Sequence, residues 1–221
     1  MTRTQMRPIG RTTWHSARRF ADRLVTDRRV GISTAGRITL DRLGLSDPER
    51  VSYEPSPWRT LRLVLRPDEV CTDDVFIDVG AGKGRVVVEA ALHYHFRRVI
   101  GLELSPALAT VARSNLSTTD GIDCPEVEII VGDATQYRLP DDVTVVFLYN
   151  PFRGATFERF MARVGASLDR NPRSLRIVYR TPLEHERLLS TGRFQLVRQH
   201  LPRRPTAAMR KTGAVRLYAT R

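Results

Sequence analysis

The chain is poor in lysine, in cysteine and in long apolar runs, and each shortage excludes something. Only two cysteines occur, Cys71 and Cys124, and neither has a cysteine or histidine partner at metal-ligand spacing. A disulfide framework and a zinc cluster are therefore excluded, no metal is expected, and the thiols suit a reducing compartment. No apolar run reaches the ~20 residues of a membrane-spanning helix. The basic N-terminus lacks the apolar stretch and cleavage site of a signal peptide, so a cytoplasmic protein without a membrane partner is expected. Lysine appears only at positions 83 and 211, and arginine supplies the rest of the 36 basic residues, the imprint of a GC-rich genome. Codon choice explains arginine in place of lysine but not a net charge of +12. That excess leaves two readings open, an acidic macromolecular partner or a solvated arginine surface.

A length of 221 residues suits one α/β domain plus a short extension. The boundary is drawn between a helical cap extension, residues 1–57, and a main domain, residues 58–221. Within the extension, Trp14, Ala17, Ala21, Leu24 and Val25 recur at helical spacing and predict an amphipathic helix over Thr13 to Arg29. Its other face carries Arg18, Arg19, Arg23 and Arg28. Gly36, Gly44, Pro48, Pro55 and Pro57 then interrupt the chain. Ser56-Pro57 reads as a helix start, with Trp58, Leu61 and Leu65 on one face.

The main domain begins at Val75 to Arg85, VFIDVGAGKGR. An apolar β-branched run predicts a strand buried on both faces, and Gly80, Gly82 and Gly84 predict a tight turn into a buried helix, Val86 to Leu92. The G-x-G-x-G spacing departs from the G-x-G-x-x-G of dinucleotide sites, and Gly84 stands where a P-loop needs Ser or Thr. Further strands are predicted at Arg98–Leu104, Glu126–Val131, Val143–Tyr149 and Leu175–Tyr179. Between them lie a helix begun by Ser105-Pro106 and another striped by Phe157, Phe160, Met161 and Val164. Thr181-Pro182 with Glu184 reads as a capping box. Phe194–Leu201 and Ala214–Thr220 have no helix between them and predict a final pair in which the last strand is antiparallel. The whole reads as a three-layer α/β sandwich around a mostly parallel seven-stranded sheet.

On that fold Asp78, Gly80, Gly82, Glu103, Asp133 and Asn150 fall at the carboxyl ends of four successive parallel strands, the edge where open α/β sheets bind ligands. Each alone is an ordinary turn former. Together they outline a crevice, with Asp78 placed to pair with a ligand cation and Glu103 to accept bonds from two sugar hydroxyls.

The DVGAGKGR segment resembles the first motif of the class I, Rossmann-like methyltransferases that use S-adenosylmethionine (SAM), and the match continues in order to Phe152. Within that superfamily the chain is most similar to bacterial relatives of the seven-strand, non-SET protein lysine methyltransferases. The resemblance implies SAM as cofactor, with Glu103 on its ribose and Asp133 and the Ala134 backbone on its adenine. The Gly80-Ala81-Gly82 turn would hold the methionine moiety, Lys83 or Arg85 would attract its carboxylate, and Tyr53 and Glu54 would close the pocket. In FLYNPF, Phe147 to Phe152, Asn150 and the carbonyl at Pro151 would accept N–H bonds from the acceptor, beside Tyr149 and Phe152. The Asn-Pro-Pro-aromatic motif of amide methyltransferases has a second proline that is absent here, which favours an aliphatic amine. Tyr149, Glu54 and His185 are the groups considered for removing its proton. A protein lysine or similar amine is the first expectation for the acceptor. RNA, a small biosynthetic molecule and a non-catalytic SAM-binding module are the alternatives. The basic loop Pro202–Gly213, with Arg203, Arg204, Arg210 and Lys211, is expected to frame the entrance together with the N-terminal helix.

Overall fold

Unbroken runs of Val, Ile and Phe are stable only where both faces of a strand are covered, and here they form the middle of the sheet. The computed structural model describes residues 25–45, 47–202 and 212–221. Its strands are β1 (Val75–Val79), β2 (Arg98–Glu103), β3 (Glu126–Val131), β4 (Val145–Tyr149), β5 (Arg176–Arg180), β6 (Phe194–His200) and β7 (Val215–Thr220). They pair in the order β3-β2-β1-β4-β5-β7-β6. The pairs are parallel apart from those made by β7, which runs against both β5 and β6. β1 is buried throughout, as its sequence requires.

Two helix layers cover the faces. Helix α1 (Arg85–His93) and helix α2 (Pro106–Ser117) bring Val86, Val87, Ala90 and Ala112 against Phe76, Phe147 and Val178. Helix α3 (Gly154–Arg170) and the short α4 (His185–Ser190) bring Phe157, Phe160, Val164 and Leu188 against Ile77, Val146 and Ile177. Each fully buried Phe of this kind contributes about 1.5–3 kcal/mol, so the α3 stripe alone fixes which face that helix turns inward. The Ser105-Pro106 start is realised: the Ser105 hydroxyl accepts from the Leu108 amide at 3.3 Å.

Helix α3 has no side-chain cap of its own at Arg153. Glu49, far upstream, accepts from the Ala155 and Thr156 amides at 3.0 and 2.8 Å and from the Thr156 hydroxyl at 2.6 Å. A carboxylate there satisfies orphan amides and complements the helix dipole.

Two local expectations are overturned. Ser56-Pro57 begins no helix: only a short 3-10 turn, Leu61–Leu63, follows. The Ser56 carbonyl is drawn to Arg85, and Arg59 adopts a left-handed φ of +62° with its amide on Glu89. Thr181 likewise makes no capping box, because it is left-handed at φ +53° and its hydroxyl donates to the Thr212 carbonyl, so Glu184 precedes the helix instead. Residues 25–30 are helical, whereas the earlier part of the predicted N-terminal helix and Arg203, Arg204, Arg210 and Lys211 lie outside the described residues. Among the described residues no helix is long and apolar enough to cross a membrane, and no group of His, Cys, Asp and Glu is placed to hold a metal.

Candidate active site

A crevice of about 940 Å³, mouth included, opens at the carboxyl ends of β1, β2 and β4. Its floor is built by the turns that leave those strands. The Gly80 and Ala81 amides both donate to the Leu102 carbonyl, at 2.8 and 3.1 Å, so the glycine turn hangs on β2. The Glu103 carboxylate strengthens the tie, accepting from the Gly82 amide at 2.7 Å and the Ser105 amide at 2.9 Å. A carboxylate has about four acceptor sites. Glu103 therefore keeps capacity for a ligand and lines the crevice. Burial raises its pKa, against the pull of the Ser105, Gly82 and Leu104 amides.

Asp78 sits beside it, 3% exposed, and among the described residues no group donates a hydrogen bond to its carboxylate. Burial, and then the nearby Glu103 charge, push its pKa well above the usual carboxylate value. An orphaned carboxylate is costly unless a cation arrives. Asp78 thus presents to the crevice an acid with no hydrogen bond of its own among the described residues.

The roof comes from the extension. The Tyr53 ring lies on Gly82 so closely that a Cβ there would stand 2.3 Å from the ring, and Gly82 is held at φ +57°. The Tyr53 hydroxyl donates to the Thr34 carbonyl at 2.6 Å, which locks the ring over the turn. Leu40, Leu43 and Leu45 supply an apolar wall opposite Leu102, Leu104 and Leu108.

Of the residues singled out from the sequence for cofactor or acceptor, Gly82, Lys83, Asp133, Asn150 and His185 do not line this crevice, whereas Tyr53, Glu54, Asp78, Gly80, Ala81, Arg85, Glu103, Ala134, Tyr149, Pro151 and Phe152 do. Lys83 turns away, donating to the Ala35 carbonyl at 3.0 Å. Arg85 touches the crevice but its guanidinium is consumed: it donates to Thr34 Oγ1, to the Ser56 carbonyl and to Asp27 at 2.7, 2.8 and 2.8 Å. Asp133 is also engaged, by Arg50 at 2.8 Å and by the Thr135 amide and hydroxyl, both at 2.9 Å. Burial would raise its pKa, but those bonds outweigh it and hold the group below its ordinary value.

At the acceptor end, Asn150 is buried at φ +44° and its Oδ1 accepts from the Tyr179 hydroxyl at 3.3 Å. The Pro151 carbonyl accepts from the Val51 amide at 3.1 Å. Tyr149 and Phe152 face the crevice, Phe152 resting on Phe160 with centroids 5.4 Å apart. His185 is bound to the Tyr218 hydroxyl at 2.7 Å and does not line the crevice, whereas Glu54 does. Sequence reasoning missed Asp27, Glu49, Arg50 and the leucine wall. The threefold spacing of Leu40 and Leu43 was the available signal for the wall, and the three others act through partners too distant for any local pattern.

The donor set fits SAM. Asp78 is an unpaired buried carboxylate suited to an ammonium, Glu103 is a second acid suited to hydroxyls, and the leucines suit a flat base. Comparison with known proteins agrees with the geometry. Residues 76–171 match a family model described as a methyltransferase domain. Over those residues the chain is similar to a methyltransferase domain, and the Rossmann-like sheet and its crevice agree with that likeness. A protein-lysine N-methyltransferase of Saccharolobus islandicus (strain REY15A) is 30% identical over 66 residues, which is 30% of this chain and 41% of that protein. The chain thus spans about two fifths of the length of that curated relative. Among solved structures, an RNA methyltransferase from Salinibacter ruber in complex with S-adenosyl-L-homocysteine aligns with a TM-score of 0.50 at 23% identity, over 76% of this chain and 92% of that one. A structure described as a putative RNA methyltransferase from Pyrococcus horikoshii aligns with a TM-score of 0.54 at 16% identity, over 91% and 96%. At these identities the likeness is one of fold.

Proposed function

We propose that the protein is a SAM-dependent methyltransferase that acts on a nitrogen, an amine of the protein lysine kind. The orphaned Asp78 carboxylate carries the reading, because a buried acid without a partner at this sheet edge calls for a cationic ligand. The similarity to a protein-lysine N-methyltransferase supports the acceptor, as does the single proline after Asn150.

SAM supplies a methyl group on a sulfonium, open to in-line displacement by a lone pair. The protein's own work is positioning and exclusion of water. Asp78 and Glu103 would hold the cofactor's ammonium and ribose, and the Tyr53 ring and the leucine wall would cover it. Tyr149 and Phe152 offer the acceptor a dry aromatic wall. An ammonium acceptor must lose its proton before attack, and of the groups considered for this only Glu54 and Tyr149 are on the lining, so the proton leaves through water past them.

RNA is the second reading, favoured by the net charge of +12. Incubation with radiolabelled SAM and a fractionated lysate decides between them. Label in protein, recovered as methyl-lysine on hydrolysis, is the expected result. Label confined to RNA or to small molecules overturns the lysine assignment, and an absence of SAM affinity by calorimetry overturns the whole reading.

A further inference from the structure

Among the described residues several partly or fully buried arginines pair with a carboxylate, whereas Arg180 and Arg216 keep a buried Nε without a hydrogen-bond partner and make no ion pair. Arg50, Arg85, Arg98, Arg176 and Arg198 each reach a carboxylate at 2.8 or 2.9 Å. Arg180 differs from them. It stands at the carboxyl end of β5, directly opposite Tyr149 in the β4 to β5 register, and its guanidinium lies 4.8 Å from the centre of the Tyr149 ring. Its Nε is buried without any hydrogen-bond partner, and among the described residues no carboxylate lies within ion-pair distance. Tyr149 lines the crevice at the acceptor end, and Arg180, not itself on the lining, adjoins that end through the Tyr149 ring.

We propose that Arg180 is a specificity-determining residue that receives a carboxylate carried by the acceptor close to the methylated nitrogen, so that the substrate is an acidic peptide segment around a lysine. The proposal rests on the lysine reading above and narrows it. A guanidinium stacked on an aromatic ring is held in one plane and offers its outer edge as a fork, the geometry that a planar carboxylate matches with two parallel bonds. RNA fits less well. A phosphate backbone is tracked by several cations along a groove. Among the described residues the basic groups lining the crevice, Arg50 and Arg85, are spent on Asp133 and Asp27, and Asp78, Glu103 and Glu54 make the remaining charged lining acidic.

The experiment uses full-length protein and lysine peptides that carry one Glu at each position from three before to three after the lysine, each paired with its Gln twin. Binding to the protein loaded with S-adenosylhomocysteine and methyl transfer from SAM are both measured, for wild type, Arg180→Gln and Arg180→Lys. A charge-assisted contact of this kind is expected to favour the best Glu peptide over its twin by about tenfold or more in kcat/KM. The preference should vanish in Arg180→Gln and return in part in Arg180→Lys, while SAM affinity, the control for folding, stays at the wild-type level. Equal handling of Glu and Gln twins, or a preference that survives Arg180→Gln, overturns the assignment. So does Arg180-dependent binding of a short RNA where no peptide binds. If Glu peptides bind through Arg180 but receive no methyl group, the carboxylate subsite stands and the lysine-transfer reading falls.

Discussion

The buried ion pair between Asp27 and Arg85 should be the most expensive single contact to break. Both residues are 3% exposed. Asp27 Oδ2 accepts from Arg85 at 2.8 Å and from the Thr34 hydroxyl at 2.7 Å, while Oδ1 accepts from the Trp58 indole at 2.8 Å. Asp27→Asn preserves shape and one acceptor oxygen but removes the charge. The Arg85 guanidinium is then left in the interior without compensation, a situation that costs about 3–5 kcal/mol. Arg85→Met combined with Asp27→Asn removes the stranded cation as well and should recover a substantial part of the loss, because no buried charge is then left without its counter-ion. Urea unfolding followed by Trp58 fluorescence in a Trp14→Phe background measures both, since these are the two tryptophans of the chain. SAM affinity should fall with Asp27→Asn, because Thr34, which receives the Tyr53 hydroxyl, is bound to the same carboxylate. A loss below about 1 kcal/mol, or a double variant less stable than Asp27→Asn alone, would refute the reasoning.

Three further outcomes are expected. Glu89 is fully buried with one oxygen unpartnered, and burial lifts its pKa to about 7, so it adds stability below about pH 4.5 that is lost as the pH rises to about 7. Glu89→Gln should flatten the stability profile across that window by about one proton, or ~1.4 kcal/mol per pH unit, in urea titrations at stepped pH; an unchanged slope contradicts the assignment. Because the pKa of Asp78 is raised in the free protein and a bound cation favours its charged form, SAM affinity should climb as the pH rises through that pKa. Asp78→Asn should weaken binding about tenfold or more and remove the pH dependence in calorimetry. Gly82→Ala places a methyl against the Tyr53 ring and strains a left-handed residue, so it should cost about 1–3 kcal/mol and weaken SAM binding, with Tyr53→Ala restoring stability in part.

The strands, their order of appearance and the reversed β7 were legible in the sequence because each rests on local pattern: β-branched runs, a glycine turn, a serine-proline helix start. Ser56-Pro57 carries that same start signal and fails, since its carbonyl is claimed by Arg85 and Arg59 is turned left-handed onto Glu89. A contact between residues 29 or 30 positions apart outweighed the local preference. The site divides in the same way. Asp78, Glu103 and the glycine turn follow from strand ends and are found together on one edge. Lys83, Asp133 and Asn150 also follow from strand ends, yet their side chains are taken by Ala35, Arg50 and Tyr179, and no periodicity announces such partners.

The borrowed cap on helix α3 has a consequence for how the chain assembles. Glu49 and Thr156 are 107 residues apart, so Glu49 leaves the ribosome long before the amides it caps exist. That contact closes only once helix α3 has been made, and it closes a long loop, which costs entropy and slows its formation. Trimming the chain to residues 58–221 would discard Asp27, Glu49 and Tyr53 together, leaving a core with a raw helix start and a crevice without its roof.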